Sequence, residues 1–314
     1  MLNYALKNIY LFAFFTGFFV FNPQGATADN NAGTVTLAAV GDVFFARGVD
    51  ARIQEFGTEY PFAFLGDEIS KYDISFCNLE CALSDRGEAR VKRFLFRADR
   101  SSASILSDSG FDVICLANNH SLDYGPEALL DTVDAITDAG LVEVGTQISG
   151  QNDSGAVFIV KNALKIGILA FSDFDNFEEE TPPGFPYVMR ANHETIPDQV
   201  SGTKQNCDVL IVSMHWGIDF VDFPTERQEY LAWLCAANGA DLILGHHPHV
   251  LQDVKYTGDV PVVYSMGGFL WDATSRGSDK SAIYIFELSK DHAELIDLVP
   301  IKIVNCRPVP DFSL

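Results

Sequence analysis

The side chains best suited to chemistry in this 314-residue chain fall in five short motifs. They are Gly41-Asp42, Asn78-Leu79-Glu80, Asn118-Asn119-His120 with Asp123 close behind, His215-Trp216-Gly217, and Gly245-His246-His247-Pro248-His249. Imidazole, carboxylate and amide oxygens drawn from separate elements are the ligands a divalent transition metal takes. A His-x-His pair on a turn sets two imidazoles on one side, so His247 and His249 can face one cation. Pro248 between them restricts the backbone and removes a competing amide. Taken singly, each motif has a structural explanation. An Asp after a strand usually caps a turn or helix, Asn119 suits a turn, and a lone strand-end histidine such as His215 is more often a satisfied structural residue. Taken together, five of the seven histidines fall on three strand ends, with Asp42 and Glu80 on two others. That joint pattern points to one metal site. His193 and His292 fall in loop or helical contexts and read as surface residues.

A site of this kind needs strand ends gathered on one rim. Apolar runs of strand length occupy residues 34–42, 72–80, 111–120, 164–171, 207–217, 241–250 and 260–269, and most end in Gly, Asp, Asn, Glu or His. Runs at 281–288 and 293–304 read as late antiparallel strands. One helix is predicted from Pro126, in its first turn, to a stop at Gly140. A second is predicted over 225–238, stopped by Asn238-Gly239. Continuous apolar runs mean strands buried on both faces, hence helices packed against a sheet. Folds of that class place their sites at the carboxyl ends of the strands. Residues 172–192 are acidic and Pro-rich and read as a loop or lid.

The N-terminus reads as a secretory signal peptide. Lys7 precedes an unbroken apolar run over residues 9–21, Pro23 and Gly25 break it, and Ala26-Thr27-Ala28 offers small residues for cleavage after Ala28. The run falls short of the ~20 residues that a membrane-spanning helix needs. Residues 29–314 are then the folded domain, exported to the periplasm or the cell surface, with membrane attachment only through an uncleaved signal. The chain carries 43 acidic against 21 basic residues, a net charge of −22. Such a balance argues against nucleic acid and anionic membrane as partners and gives any cation a favourable field. Cys77, Cys81, Cys115, Cys207, Cys235 and Cys306 do not have the spacing of a disulfide framework and read mostly as buried thiols.

The motifs AVGDV, CNLE, LANNHSLDYG, SMHWG, GHHPHVLQ and YSMGGF follow in this order across residues 37–270. They resemble the CapA family of poly-γ-glutamate capsule biosynthesis, which is similar in fold to calcineurin-like metallophosphoesterases. The resemblance implies an α/β fold, a four-layer α/β/β/α sandwich of mixed sheets with the site at one rim. It implies Asp42, Glu80, Asn119, His215, His247 and His249 as ligands of a divalent metal (Mn, Zn or Fe), with Glu80 at the bridging position. It implies His120 as the acid or an outer imidazole, oriented by Asp123. Phe44 stands where the first metallophosphoesterase motif carries a histidine, so one of two metal positions is short of a ligand. One ion held well and a second held weakly, or none, is the expectation. Asp219 stands where the family more often shows Glu, and Gly268 where Asn is usual.

Two functions are compatible with these residues. A metal-dependent hydrolase would act on a phosphoester or a γ-glutamyl amide, with His120 protonating the leaving group. A non-catalytic accessory protein would instead bind poly-γ-glutamate or a related anionic envelope polymer, beside a polyglutamate synthase complex, and hand it to the cell surface. Arg47, Arg93 and Arg97 are the cationic candidates to meet such a polymer.

Overall fold

The computed structural model describes residues 33–150, 154–174, 181–272 and 277–311, so the expected signal peptide lies outside the described residues. The first half runs β1 (Val35–Val43), α1 (Gly48–Phe56), β2 (Ile74–Leu79), β3 (Ala82–Leu83), β4 (Arg97–Ala98), α2 (Ser102–Asp108), β5 (Val113–Cys115), α3 (Gly125–Asp138), β6 (Val142–Val144) and β7 (Thr146–Ile148). The middle runs β8 (Val157–Lys161), β9 (Leu164–Ser172), β10 (Pro186–Val188), α4 (Ile196–Lys204), β11 (Val209–His215), α5 (Glu226–Ala237) and β12 (Leu242–His246). The chain closes with β13 (Val254–Thr257), β14 (Val260–Val263), β15 (Gly268–Leu270), β16 (Lys280–Ser289), β17 (His292–Ile303) and β18 (Pro308–Pro310).

Two mixed sheets carry the architecture. The large one has eight strands in the order β18-β17-β16-β1-β2-β5-β6, with β15 also on β1. The small one has six, β13-β14-β12-β11-β9-β8. Strands β1, β2, β5 and β6 are parallel in the first, and β9, β11, β12 and β14 in the second. The late strands β16 and β17 pair antiparallel, as their sequence predicts. Parallel strands need helical crossovers of one hand, so α2 and α3 share one face of the large sheet and α4 and α5 one face of the small sheet.

Side-chain alternation splits the core accordingly. Along β9, Ile166, Ile168 and Ala170 join the core that holds Leu37, Phe76 and Ile114 of the large sheet. Leu169 and Phe171 of the same strand point the other way, to Ile196 and Val200 of α4 and Leu231 and Cys235 of α5. The outcome is the four-layer α/β/β/α sandwich. Each Leu, Ile or Phe so buried contributes roughly 1.5–3 kcal/mol, which explains why strands with almost no polar side chains are stable here.

The sheets meet at a rim that two glycines make possible. A Cβ on Gly41 would lie 1.9 Å from Gly267 O, and one on Gly245 would lie 2.1 Å from Tyr264 O. Without side chains, Asp42 N donates to Gly267 O (2.9 Å) and Met266 N to Gly245 O (3.1 Å). Residues 264–267 therefore cross from one sheet to the other. The single strand predicted over 260–269 is two, β14 in the small sheet and β15 in the large one. Both pieces are apolar and buried, so their periodicity gives no sign of the crossing.

Other expectations hold with adjustments. Helix α3 begins beside Pro126 and stops before Gly140, which has φ 77°. Helix α5 opens on a capping box, with Thr225 and Gln228 bonded reciprocally. The run 111–120 is strand only over Val113–Cys115, and residues 118–120 form the turn that follows. Part of the predicted loop 172–192 pairs as β10 with β7; residues 175–180 lie outside the described residues. His292 opens strand β17 instead of sitting in a loop or helix, and it is exposed as expected. All six cysteines are free thiols, and Cys77, Cys81, Cys115 and Cys235 are buried.

Candidate metal centre

Each candidate ligand stands at or just beyond the carboxyl end of a parallel strand. Asp42 lies in β1, Glu80 follows β2, and Asn119 and His120 occupy the turn after β5. His215 ends β11, His246 ends β12, and His247 and His249 lie in the turn beyond it. Sheet packing thus brings all six predicted ligands and His120 to one rim. Asp42 and Glu80 are fully buried, and none of His120, His215, His247 and His249 is more than 7% exposed. His247 and His249 have φ of 96° and 57° on either side of Pro248. That backbone costs roughly 1–3 kcal/mol at each non-glycine residue. It is held by His247 N donating to Asp42 Oδ2 (3.2 Å) and Phe220 N donating to Pro248 O (2.8 Å).

The donors fall into overlapping sets. Ligand atoms of Glu80, His215 and His247 lie within 4.8 Å of one another, as do those of Asp42, Glu80 and His249, and those of Asp219, His247 and His249. Asn119 belongs with the first set, because His215 Nε2 is 3.0 Å from Asn119 Oδ1 and 3.1 Å from Glu80 Oε1. Glu80 is common to the first two sets, as a bridging carboxylate would be. Asp42 is more heavily engaged. Its Oδ1 accepts from Asn78 Nδ2 (2.9 Å), and its Oδ2 takes His247 N and lies 3.0 Å from His249 Nδ1. Asp42 therefore braces His249 as well as offering a ligand, the carboxylate–imidazole pairing that leaves Nε2 for a metal.

The electrostatics fit a cation. Burial alone would raise the Asp42 carboxyl, but the imidazoles of His246 and His249 outweigh it and hold Asp42 well below the usual carboxylate range. Burial, reinforced by the Asp42 charge, pushes Glu80 well above that range. Burial, with the neighbouring imidazoles adding to it, lowers His215 far below its ordinary value and brings His247 down to about 3. Both histidines are thus neutral and have lone pairs to give. Glu80 Oε2 and His247 Nδ1 are buried with no hydrogen-bond partner, and so is His246 Nε2, while His246 Nδ1 lies 3.2 Å from Asp42 Oδ1. Buried polar atoms are normally paired. Donor atoms of Glu80, His215 and His247 within 4.8 Å of one another, in a cluster that also holds unpaired buried oxygen and nitrogen, are what a divalent ion would satisfy, so the residues fit one.

His120 is built differently. Its Nδ1 lies 2.8 Å from Asp123 Oδ2, and its ring packs 4.2 Å from that of Phe96. Burial lowers its pKa, and Asp123 partly restores it. Asp123, fully buried, also accepts from Phe96 N (2.7 Å) and Lys92 Nζ (2.6 Å). Lys92 Nζ donates in addition to Asn119 O, joining the ligand turn to the same carboxylate.

Several residues here escape the sequence-derived ligand set. Asn78 is a hub, since its amide also lies 3.4 Å from both Glu80 Oε1 and His215 Nδ1. Asn118 donates to Asn78 Oδ1 (3.0 Å) and Leu79 O (2.7 Å) and accepts from His120 N (3.0 Å), which shapes the turn. Both sit inside motifs already singled out, so their type and place were the available signal. Lys92 had none beyond being a cation in an acidic chain.

Phe44 occupies its strand end as a fully buried ring against Phe96 (5.1 Å) and Trp271 (4.4 Å). Trp271 in turn stacks on His249 at 4.2 Å. A Cβ on Gly268 would meet Trp271 at 3.2 Å, so the glycine makes room for that indole. The position short of a ligand is walled by aromatic rings. Asp219 approaches His247 (3.4 Å) and His249 (3.8 Å) from an exposed loop. Of the arginines considered, Arg47 pairs with Asp272 (3.2 Å) and Arg97 lies over the Tyr124 ring at 3.6 Å; Arg93 is exposed.

Comparison with known proteins places this arrangement in a family. The chain is 29% identical over 284 residues to the capsule biosynthesis protein CapA of Bacillus anthracis, covering 88% of this chain and 69% of that one. It is 27% identical over 279 residues to the PGA biosynthesis protein CapA of Bacillus subtilis, covering 88% and 73%. A probable polyglutamine synthesis accessory protein of Mycobacterium tuberculosis is 27% identical over 221 residues, 67% of this chain and 58% of that one. Among solved structures, a hypothetical protein from Thermus thermophilus shares the fold with a TM-score of 0.53 at 16% identity, covering 84% of this chain and 97% of the other. The calcineurin-like phosphoesterase YfkN of Bacillus subtilis is a weaker likeness, with a TM-score of 0.48 at 14% identity over 85% and 90%. Residues 36–273, which hold every candidate ligand, match the model of the bacterial capsule synthesis protein PGA_cap. The chain belongs to that family, the CapA-like proteins of capsule and poly-γ-glutamate biosynthesis.

Proposed function

We propose that the chain is an exported, metal-dependent hydrolase-type protein that acts on poly-γ-glutamate or a related anionic envelope polymer during capsule biosynthesis. Glu80, Asn119, His215 and His247 would hold one divalent ion, Mn, Zn or Fe, and Asp42, Glu80 and His249 a weaker second. An ion so held supplies Lewis acidity and lowers the pKa of water toward about 7. The protein's own groups set the rest. Asp123 accepts the Nδ1–H of His120 and stabilises its protonated form, and the Nε2–H of that imidazolium is the proton given to the departing oxygen or nitrogen. Burial excludes bulk water around both groups and strengthens their interactions with a charged substrate.

The observation that carries this reading is the His120–Asp123 pair, 2.8 Å apart and buried, set beside a ligand cluster whose Glu80 Oε2 and His247 Nδ1 have no hydrogen-bond partner. Export rests on the signal-like residues 1–28; among the described residues no helix is long and apolar enough to cross a membrane. A second reading, a non-catalytic polymer-binding accessory protein near a polyglutamate synthase complex, draws support from the aromatic wall at Phe44 and Trp271. It also agrees with the name of the Mycobacterium tuberculosis relative.

Elemental analysis of purified protein, followed by assays with phosphomonoester, phosphodiester and γ-glutamyl substrates, separates the two. Bound transition metal with turnover that His120→Asn abolishes supports the hydrolase. Absence of turnover on any substrate supports the accessory protein, and absence of metal binding contradicts the hydrolase.

A further inference from the structure

The acidic chain has one conspicuous exception to its charge. From Ala89 to Ala98 there is no acidic residue, and Arg90, Lys92, Arg93 and Arg97 are four of the 21 basic residues in the whole protein. These residues belong to the connection between the parallel strands β3 and β4 and the start of β4. Two exposed apolar side chains are interleaved with them, Val91 fully and Phe94 at 52%. Arg93 is exposed, lies 4.9 Å from the Phe94 ring, and has no ion-pair partner among the described residues.

This connection hangs on the same carboxylate that orients His120. Asp123 O accepts from Arg90 N (2.8 Å), Asp123 Oδ1 from Lys92 Nζ (2.6 Å) and Asp123 Oδ2 from Phe96 N (2.7 Å). Three bonds to one buried residue fix the segment against the face of His120, through the Phe96 ring. A proton donor faces the leaving group of its substrate. The surface next to His120 is therefore the surface that meets the leaving-group side of a long substrate.

We infer that residues 89–97 form a recognition loop for a flexible polyanion, a chain of carboxylates or phosphates, which they lead to His120. This rests on the reading of a polymer-directed site given above. The −22 net charge repels a polyanion from most of the surface, and a run of sequence without acidic residues that carries the exposed Arg93 is what lets one strand approach. A cleft of about 480 Å³ lies between this loop and residues 124–127, but Glu88 and Glu127 line it. The polyanion is assigned to the outer face of the loop, where Arg93 stands, and not to that cleft. Val91 and Phe94 raise the alternative of an anionic membrane surface. The attachment to Asp123 favours the polymer, because membrane docking gives no reason to tie the loop to His120.

The test uses the full chain and labelled oligo-γ-glutamate, with long-chain polyphosphate and phosphatidylglycerol vesicles as parallel probes, measured by fluorescence anisotropy or co-sedimentation over a salt series. Binding of either polyanion that Arg93→Glu weakens about tenfold and Arg93→Lys preserves supports the loop. A salt slope reduced by about one in Arg93→Glu supports it further; the tighter of the two probes tells carboxylate from phosphate. Equal polyanion affinity in the wild type and Arg93→Glu overturns the proposal, and so does tight vesicle binding without polyanion binding. Turnover of a small chromogenic ester, which Arg93 does not touch, is read alongside. Its absence in the wild type counts against the hydrolase reading while leaving the loop to be judged on binding alone.

Discussion

Asp42, Asn78, Glu80 and Asn119 reach the rim from the large sheet, whereas His215, His246, His247 and His249 reach it from the small one. The large sheet brings oxygen donors and the small sheet nitrogen donors. The one imidazole that the large sheet brings to the rim, His120, is the one locked to a carboxylate of its own turn. This division has an electrostatic consequence. Burial, with the Asp42 charge beside it, raises Glu80, and burial drives His215 and His247 neutral. Neither half is complete, and each holds polar atoms that only the other half, or a cation between them, satisfies. A functional centre at a sheet–sheet rim therefore reports on the docking of the sheets as much as on any single motif.

Substitutions that act on one half and spare the other sharpen this contrast. The largest effect is expected for His120→Asn, with turnover lower by about 10²–10⁴ and metal content unchanged, since a positioned general acid contributes that much. Steady-state rates beside elemental analysis check it. In the nitrogen half, His247→Ala removes a ligand and should weaken metal binding by more than about 100-fold, beyond what loss of an outer partner costs. In the oxygen half, Asp42→Asn disturbs the brace on His249 and leaves Glu80, Asn119, His215 and His247 in place. A loss of about 10–100-fold in affinity is expected, and calorimetric titration distinguishes the two cases.

Acid should separate the halves as well. Metal binding needs Glu80 ionised, and its pKa is raised in the folded protein, so affinity is expected to fall about tenfold per pH unit below that pKa. His247, brought down to about 3, does not compete for the proton above that pH. Proton release on binding, measured in buffers of differing ionisation heat, should then vanish in Glu80→Gln. The smallest effect is on stability. His247 titrates near 3 when folded against 6.5 when unfolded, so the unfolded chain binds more protons between those values. Metal-free protein should lose stability as pH falls from 6.5 toward 3, and His247→Gln should flatten that slope in urea unfolding.

Much of this centre is legible in the sequence, for a physical reason. A buried strand that ends in a polar residue announces its own carboxyl end, so Asp42, Glu80, Asn119, His215 and the His247–His249 pair can be placed on one rim from their motifs. Their pairing across two sheets cannot, because hydrophobic alternation tells which face is buried and not against what. The crossing of residues 264–267 illustrates the limit. Its apolar run looks continuous, and only the near-contact of Gly41 and Gly245 with backbone oxygens shows that the chain changes sheet there. Lys92 is hidden for a related reason. Its partner Asp123 lies 31 positions away, and nothing in the local pattern of residues 89–97 reveals that the loop folds back onto the His120 turn.

The claim that matters most is that the two halves jointly hold a divalent metal beside His120. Metal content and affinity of the wild type, His247→Ala and His120→Asn, determined by elemental analysis and calorimetry on the same preparations, test it most directly. The structure predicts at least one transition-metal ion per chain in the wild type and in His120→Asn, and a loss of more than about 100-fold in affinity in His247→Ala. Equal metal binding by the wild type and His247→Ala, or none by any of the three, would contradict it.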